Sequence, residues 1–209
     1  MPQIVAPRIT GRSKMPPSRR EELIAGLMEL FLEHGFATLS IEEMARALQC
    51  SKSTLYSVEG TKHEIIVTVV RAFFRRGTER VEARARTDEL PARRIGSYLV
   101  AISEELAPAS QAFFTDIDEY PPTREIYRNN TRIATERVQE LAIEALPETS
   151  RIDAVFVGTV AGQIMEAIHR GEIKSATRLD DSAAYRALAN LIVAGVSAST
   201  EVSTGREPA

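Results

Sequence analysis

Apolar side chains recur along this chain at the three- and four-residue spacing of amphipathic helices. In the first run, Leu23, Leu27 and Phe31 fall on one helical face, and Gly35 follows as a stop signal. Proline or glycine interrupts the later runs near residues 91, 108, 121, 147 and 171. No segment shows the sustained alternation of a surface strand, so the pattern predicts an all-α protein. The predicted helices cover 18–34, 41–48, 51–57, 62–86, 91–107, 110–118, 122–146, 150–171 and 181–199.

Helix-start signals are dense in the first third of the chain. Segments 18–21, 40–43 and 61–64 each pair a serine or threonine with a glutamate three positions later, which is the pattern of a capping box. Ser51 supplies another capping hydroxyl at the start of a short run. These signals predict three short helices followed by a longer fourth helix.

Residues 40–58 have the layout of a helix-turn-helix, with a helix of about eight residues, a tight turn and a second short helix. The second helix carries short hydroxyl side chains and one lysine, and Leu55 is its clear core residue. Small polar side chains let a helix enter the major groove, about 12 Å wide, and reach phosphates and base edges. A solvated surface connector has a similar composition, so composition alone leaves both interpretations open.

Between Arg19 and Ile66 a set of short motifs follows in a fixed order: Glu29-Leu30-Phe31, Gly35-Phe36, Ser40-Ile41-x-x-Met44-Ala45, Ser51-Lys52-Ser53-Thr54-Leu55-Tyr56 and Lys62. This order of motifs resembles the DNA-binding domain of the TetR family of transcription regulators. The stretch covers about fifty residues, and the rest of the chain matches the family only in its helical pattern and its length.

The resemblance implies an N-terminal three-helix helix-turn-helix domain followed by a larger helical domain for ligand binding and dimerisation. It places Ser40 and Lys62 at helix starts that face backbone phosphates. Lys52 or Thr54 is the expected base reader, and Tyr56 is the expected phosphate ligand through its hydroxyl. The implied DNA-contacting residues are Ser40, Ser51, Lys52, Ser53, Thr54, Tyr56, Ser57 and Lys62.

Two positions depart from the pattern of the family. Gln49 stands where the turn usually has glycine, and a left-handed backbone there would cost a side-chain-bearing residue about 1 kcal/mol. Ser57-Val58-Glu59-Gly60 replaces the usual aromatic pair, and the Glu59 carboxylate would repel phosphates unless it is paired, with Lys62 as the expected partner. These departures support an alternative function, a helical protein–protein adaptor that has lost specific DNA binding.

The charge distribution supports a division of the chain into segments. The net charge is −3, yet residues 1–20 carry five basic side chains and no acidic one. We expect a flexible basic arm at 1–17, the helix-turn-helix domain at 18–62, the regulatory and dimerisation domain at 63–199, and a disordered tail at 200–209. A local basic segment on an acidic body is compatible with DNA binding, because phosphate attraction acts over about 10 Å.

The regulatory domain of the family binds a small molecule, and aromatic residues here are suited to an apolar pocket of a few hundred cubic ångströms. For each of these aromatic residues taken alone, ordinary core packing is the favoured explanation. Polar anchors for the unidentified effector are expected at Gln163 and His169, with Asn130 as a further candidate. The predicted ligand-binding residues are Phe73, Tyr98, Phe113, Phe114, Tyr127, Phe156, Gln163 and His169.

The last two predicted helices are the candidates for a homodimer interface. Ala154, Gly158 and Gly162 recur every four residues and form a smooth stripe, which suits close packing against a second subunit or against a helix of the same chain. Two helices from each subunit would form a four-helix bundle and hold two recognition helices about 34–36 Å apart. The predicted interface residues are Gly158, Gly162, Leu188, Leu191, Ile192 and Gly195.

Other classes of protein find little support in the sequence. Asp116 and Asp118 would point about 200° apart on a helix, and the three histidines lie in different predicted helices without a second ligand at metal spacing. We therefore expect no enzyme activity, no metal and no cofactor. The chain has no membrane-length apolar run and no secretory signal, so we expect a cytoplasmic protein. The leading hypothesis is a homodimeric repressor that binds a palindromic double-stranded operator and is released by a small molecule.

Overall fold

The structure is a computed structural model that describes residues 17–88, 90–146, 148, 150 and 152–204. These residues form helices and no strands, which confirms the predicted all-α class. In chain order the helices are α1 (Pro17–His34), α2 (Ile41–Ala47), α3 (Lys52–Leu55), α4 (Lys62–Ala85), α5 (Pro91–Leu106), α6 (Gln111–Glu119), α7 (Pro121–Ala145), α8 (Ala154–His169), α9 (Glu172–Thr177) and α10 (Asp181–Thr204).

The ends of several helices differ from the prediction: α3 ends at Leu55 instead of residue 57, and further differences occur in α1, α8 and α10. α1 begins at Pro17, so Ser18 lies inside its first turn and is not the N-cap. α10 continues to Thr204, so the prediction of a disordered tail is wrong for residues 200–204. Residues 205–209 and residues 1–16 of the predicted arm lie outside the described residues. α8 begins only at Ala154, where the Asp153 carboxylate accepts from the Phe156 amide at 2.8 Å.

α9 was not predicted, because it has none of the apolar periodicity on which the prediction depended. None of its residues is buried. It is bounded by Gly171 and Arg178, both with a left-handed backbone, at φ 72° and 65°. A short exposed helix between two such residues carries little hydrophobic signal.

The described residues pack into two apolar cores that α4 connects. The first core joins α1, α2, α3 and the first half of α4, and it includes Phe113 and Ile117 from α6. The second core joins the end of α4 to α5, α7, α8 and α10. α6 therefore belongs by sequence to the C-terminal part of the chain but packs into the core of the helix-turn-helix. None of the described helices is long and apolar enough to cross a membrane.

The glycine stripe on α8 packs within the chain, which corrects the prediction for Gly158 and Gly162. A Cβ on Gly158 would lie 2.9 Å from the Cβ of Gln139 on α7, and one on Gly162 would collide with the Thr135 hydroxyl. Small residues are needed here because α7 and α8 approach closely. The structure thus supports the alternative partner that the stripe left open, a helix of the same chain.

The predicted interface residues on α10 also divide into two groups. Leu188 and Ile192 are buried in the second core, and a Cβ on Gly195 would meet the Ile152 side chain at 3.7 Å. These three positions face the chain's own helices, which corrects the prediction. Leu191 points outward and is 69% exposed.

Candidate functional site

The start of α2 is fixed by the predicted capping box. The Ser40 hydroxyl accepts from the Glu43 amide at 3.2 Å, and the Ser40 amide donates to the Glu43 carboxylate at 2.7 Å. Ile41, Met44 and Ala45 are buried beneath this helix, so α2 presents its polar side outward. The capping box sets where α2 begins and therefore where the following turn and α3 lie.

α3 rests on one fully buried side chain and presents hydroxyls on its surface. Leu55 is fully buried, whereas the residues around it are exposed or half-buried. The Ser51 hydroxyl caps the helix by accepting from the Thr54 amide at 3.1 Å. It also lies 2.7 Å from the Ser53 hydroxyl and 2.8 Å from the Thr54 hydroxyl. The result is a cluster of hydrogen-bonding groups on a short helix with a rigid base.

The turn between α2 and α3 has the strained conformation that the sequence predicts. Gln49 has φ 49°, in the left-handed region that favours glycine. The turn is closed by backbone bonds from the Gln49 amide to Arg46 at 3.1 Å and from the Cys50 amide to Ala45 at 2.9 Å. These bonds hold Gln49 in a conformation that costs about 1 kcal/mol. Burial raises the pKa of the neighbouring Cys50 thiol, which disfavours the reactive thiolate.

Glu59 is neutralised, but not by the expected partner. Its carboxylate accepts from the Arg20 guanidinium of α1 at 2.7 Å and from the Thr68 hydroxyl at 3.0 Å. Lys62 instead donates to the carbonyl of Ala37 at 3.1 Å, so the prediction of a Lys62 partner is wrong. The pairing with Arg20 removes most of the repulsion that Glu59 would exert on a phosphate.

Lys52 forms an exposed ion pair with Glu42, which joins the outer surfaces of α2 and α3. The hydrogen bond to Glu42 raises the pKa of Lys52, and the same bond lowers the pKa of Glu42. Both side chains are more than half exposed, so water or another anion can replace Glu42 as the partner of Lys52. The candidate base reader is thus oriented but not buried.

Each predicted DNA-contacting residue is exposed or half-buried, and several of them share one concave surface. Ser53, Tyr56, Ser57 and Lys62 line this concavity together with Gly60 and Thr61. We call these six residues the α3 groove. Thr61 was predicted only as a helix cap, and its exposure beside Lys62 adds it to the candidate surface.

A second candidate site is an apolar cavity of about 50 Å³ among α4, α5, α7, α8 and α10. It is much smaller than the pocket of a few hundred cubic ångströms that the sequence analysis predicted. Four of the predicted ligand-binding residues line it: Phe73, Tyr98, Tyr127 and His169. Asn130, the further polar candidate, also lies in its wall, where its side-chain oxygen accepts from the Thr78 hydroxyl at 3.1 Å. We call this space the inner cavity.

The other four predicted ligand-binding residues lie elsewhere. Phe113 is buried in the first core, in edge contact with Phe36 and Phe73. Phe156 is 66% exposed and Gln163 is also exposed, so neither faces the inner cavity. An apolar residue on a helix gives the same sequence signal in a core as on an exposed face, which explains the error at Phe156. Phe114 lies outside the inner cavity, stacked on His169 with ring centroids 5.0 Å apart.

The inner cavity is lined by side chains that carry no net charge at neutral pH. Burial lowers the pKa of His169 to about 4, so its imidazole is neutral. Burial raises the pKa of Tyr98, Tyr127 and Tyr185 far above neutrality. The Glu105 carboxylate at the wall is paired with Arg80.

α6 links this cavity to the helix-turn-helix by contacts that sequence analysis did not predict. The Asp116 carboxylate accepts from the amides of Phe36 and Ala37, the latter at 2.8 Å, in the loop before α2. At the start of α6, the Ser110 amide donates to the Leu32 carbonyl at 2.7 Å. From the sequence, Asp116 is a candidate only for acid–base chemistry or for a metal site. No local sequence signal pairs it with a loop eighty residues away.

The described residues hold no cluster of three or more His, Cys, Asp or Glu side chains that would suit a metal ion. Asp116 is committed to backbone amides, and Asp118 is paired with Arg124 at 3.4 Å. Within the described part of the chain, the acidic group on α6 therefore has structural roles.

Comparison with known proteins identifies the fold. No family model and no curated protein sequence matches the chain. A TetR/AcrR-family regulator from Thermobifida fusca superimposes with a TM-score of 0.63 at 22% identity, over 84% of this chain and 97% of that chain. A protein from Saccharomonospora viridis, solved with choline, gives 0.69 at 14% identity, over 85% and 96%. A fatty acid degradation regulator from Bacillus halodurans gives 0.65 at 12% identity, over 88% and 98%.

These comparisons confirm the fold expected from the resemblance. The chain has the fold of TetR/AcrR-family transcriptional regulators, with an N-terminal helix-turn-helix and a larger helical domain. The three neighbours are described as regulators and none as an enzyme. At such identities the likeness concerns the fold, and function has to be argued from the site.

Proposed function

We propose that this chain is a ligand-responsive transcription regulator of the repressor type, which binds a palindromic operator as a homodimer. The observation that carries the proposal is the surface of α3, where exposed hydroxyls and Lys52 surround a single buried anchor, Leu55. A helix of this kind can approach base edges, while its cap and its neighbours contact phosphates.

The α3 groove supports the assignment of phosphate contacts. Tyr56 and Lys62 both line it, and the groove is open to solvent. The charge of Glu59 is the main reason in the sequence to consider an adaptor that does not bind DNA. Because Glu59 is paired with Arg20, it repels DNA phosphates less than an unpaired carboxylate would. We therefore favour DNA binding over the adaptor function.

A gel-shift assay with the DNA that flanks its own gene tests the assignment. Lys52→Ala and Tyr56→Phe are expected to weaken the shift while leaving helicity and oligomeric mass unchanged. Ser182→Ala, at a half-buried position near the start of α10, lies far along the chain from α3 and is a control expected to bind like wild type. A wild-type protein that shifts scrambled DNA equally well at low salt would contradict a specific operator.

We propose that the second copy covers the outer faces of α8 and α10. Val155, Phe156 and Leu191 are large apolar side chains that are all more than half exposed. Exposed apolar surface of this kind marks sites of association in soluble proteins. Of these residues, Leu191 belongs to the interface predicted from the sequence. Phe156 was predicted to bind the ligand and is here assigned to the interface.

Light scattering can separate this interface from simple surface hydrophobicity. Phe156→Asp and Leu191→Asp are expected to convert dimer to monomer, because each would bury a charge against the second copy. Ile143→Asp is the matched control, since Ile143 on α7 is exposed to a similar extent, at 59%. If all three variants stay dimeric, the interface lies elsewhere.

The ligand response is proposed to run through α6. Phe114 packs on His169 beside the inner cavity, and two residues later Asp116 binds the loop before α2. A ligand that displaces the Phe114 ring would therefore move the residue that holds the helix-turn-helix. Such a ligand shifts the equilibrium only if it binds one position of α6 better than the other. The choline found in the Saccharomonospora viridis neighbour supports a small-molecule effector.

A further inference from the structure

Two buried polar atoms beside the inner cavity have no hydrogen-bond partner among the described residues. They are the hydroxyl oxygen of Tyr127 on α7 and Nδ1 of His169 on α8. The Thr131 hydroxyl lies near Tyr127 but outside bonding geometry. The two rings meet edge to face with centroids 5.7 Å apart, and both residues line the inner cavity. Unpaired buried polar atoms are rare in folded proteins and call for a missing partner.

The ring of Phe114 covers this site. It stacks on His169 at an interplanar angle of 27°. Phe114, Tyr127 and His169 also line an outer groove of about 490 Å³, and Phe114 and His169 line a third space of about 290 Å³. His169 therefore lines all three spaces, and Phe114 lines the two outer ones. A change in the position of Phe114 would join the two outer spaces and uncover the His169 ring that separates them from the inner cavity, which gives a pocket of ligand size.

The chemistry of the lining selects an uncharged ligand. Within the inner cavity the ionised side chain is Glu105, which Arg80 neutralises. A carboxylate or phosphate would lose its hydration at Tyr127 and His169 without gaining a cationic partner from the lining of the inner cavity. The arginines near the site line the outer groove instead: Arg124, Arg128 and Arg170. Two of them are already paired with acidic side chains, Arg124 with Asp118 and Arg170 with Glu166 and Glu172. A neutral polar group avoids that loss.

The neutral imidazole selects a hydroxyl among uncharged groups. His169 Nε2 and the Tyr185 hydroxyl are 2.8 Å apart, and either of them can be the donor. Nδ1 is therefore an acceptor in one tautomer and a donor in the other. A hydroxyl both donates and accepts, so it can bond Nδ1 and the Tyr127 hydroxyl in either case. A carbonyl oxygen only accepts and suits one tautomer.

We propose that displacement of Phe114 opens a site for an uncharged alcohol or phenol, whose hydroxyl bonds Tyr127 and His169 and whose apolar body takes the place of the Phe114 ring. The inference rests on the proposed function, because it names the effector class of that pocket. It also explains why the ligand would bind one conformation better than the other. The two polar atoms can bond the ligand hydroxyl only in the conformation in which Phe114 has moved.

Calorimetric titration of the full chain without DNA tests the class of ligand. The probes are p-cresol and p-xylene, which have nearly the same shape and differ by a hydroxyl in place of a methyl group. We expect p-cresol to bind at least tenfold more tightly, the gain of about two hydrogen bonds. We also expect it to bind more tightly than 4-methylbenzoate. Equal affinities for p-cresol and p-xylene, or no binding of p-cresol, would overturn the proposal.

Two tyrosine variants identify the atoms involved. Tyr127→Phe removes an unpaired hydroxyl, so it should leave the melting temperature unchanged or raised and abolish the preference for p-cresol. Tyr185→Phe is the matched variant, because it removes a hydroxyl that is already bonded to His169, and it should lower the melting temperature. If Tyr127→Phe lowers the melting temperature as much, its hydroxyl has a partner and the proposal fails.

The outcome of the ligand titration can be distinguished from the outcome of the DNA-binding assay. Binding of p-cresol with the expected preference but without any effect on a specific DNA complex would support the ligand class and contradict the proposed release by ligand. A specific DNA complex in a protein that shows no preference for p-cresol would contradict the ligand class alone.

Discussion

The two ends of this molecule treat their polar groups in opposite ways. At the helix-turn-helix, polar side chains sit at the surface and are paired with neighbours, as Lys52 is with Glu42 and Glu59 is with Arg20. In the larger helical domain, Tyr127 and His169 bury polar atoms that remain unpaired. The first arrangement would let a phosphate replace a surface partner at small cost. The second would be relieved if the packing opened and the proposed ligand supplied the missing partners.

The largest expected effect tests whether α3 depends on its single anchor. Leu55→Ala should destabilise the helix-turn-helix by about 2–5 kcal/mol, because it leaves a cavity under a helix of four residues. Leu191→Ala removes the same atoms from a side chain that is 69% exposed and should change the stability of the monomer by less than about 0.5 kcal/mol. Chemical denaturation measures both values. Similar losses in the two variants would break the distinction between a supported recognition surface and a solvated one.

The second prediction concerns pH and the buried imidazole. Because the pKa of His169 falls from 6.5 in the unfolded chain to about 4 in the folded protein, the unfolded state takes up the proton first. The contribution of the buried neutral imidazole to the free energy of unfolding is therefore fully present above pH 6.5. About 3 kcal/mol of it is lost as the pH falls towards 4. Melting curves across this range should show a loss that His169→Gln reduces.

His34 provides the control for that measurement. It lies at the exposed end of α1, so His34→Gln tests whether the loss of any histidine, and not of the buried His169, accounts for the change. A His169→Gln variant with the same acid sensitivity as wild type would show that the imidazole is not buried in its neutral form.

The third prediction concerns the connection between the two ends. Asp116→Ala removes an acceptor shared by two amides in the loop before α2 and should lower stability by about 1–3 kcal/mol. Asp118→Ala, two residues away and mostly exposed, should have little effect. If ligand release of DNA persists unchanged in Asp116→Ala, the coupling does not pass through this carboxylate.

The smallest expected effect comes from the Lys52–Glu42 pair. Glu42→Gln frees Lys52 and removes a negative charge beside the α3 surface, so DNA affinity should rise a few-fold. Glu144→Gln removes the same charge far from α3 and should not change it. A fall in affinity in Glu42→Gln would mean that the pair positions Lys52 for DNA instead of competing with it.

The same contrast explains what the sequence could predict. The caps at Ser40, Ser51 and Thr61 are local signals three residues long, and the structure places a helix start at each of them. The left-handed turn at Gln49 was implied by the resemblance, because the family usually has glycine at this position. Local chemistry fixes these features, and no distant contact changes them.

The larger helical domain depends on contacts between residues far apart in the sequence. The stripe at Gly158 and Gly162 predicted close packing correctly but not its partner, because α7 and a second subunit offer the same kind of surface. Phe156 and Phe114 are both aromatic residues on predicted helices and look alike in the sequence. In the structure Phe156 is exposed, whereas Phe114 stacks on His169 beside the inner cavity. The Asp116 contact joins residues about eighty positions apart, which periodicity does not report.

The salt dependence of binding to the DNA that flanks the gene tests the central claim most directly. Fluorescence anisotropy titrations over a series of salt concentrations give the slope of log affinity against log salt. If α3 and the residues around it contact phosphates as proposed, the slope is steeply negative for that DNA and becomes shallower by about one in Lys52→Ala or Lys62→Ala. Binding that does not respond to salt, or no binding at low salt, would contradict a function in DNA recognition.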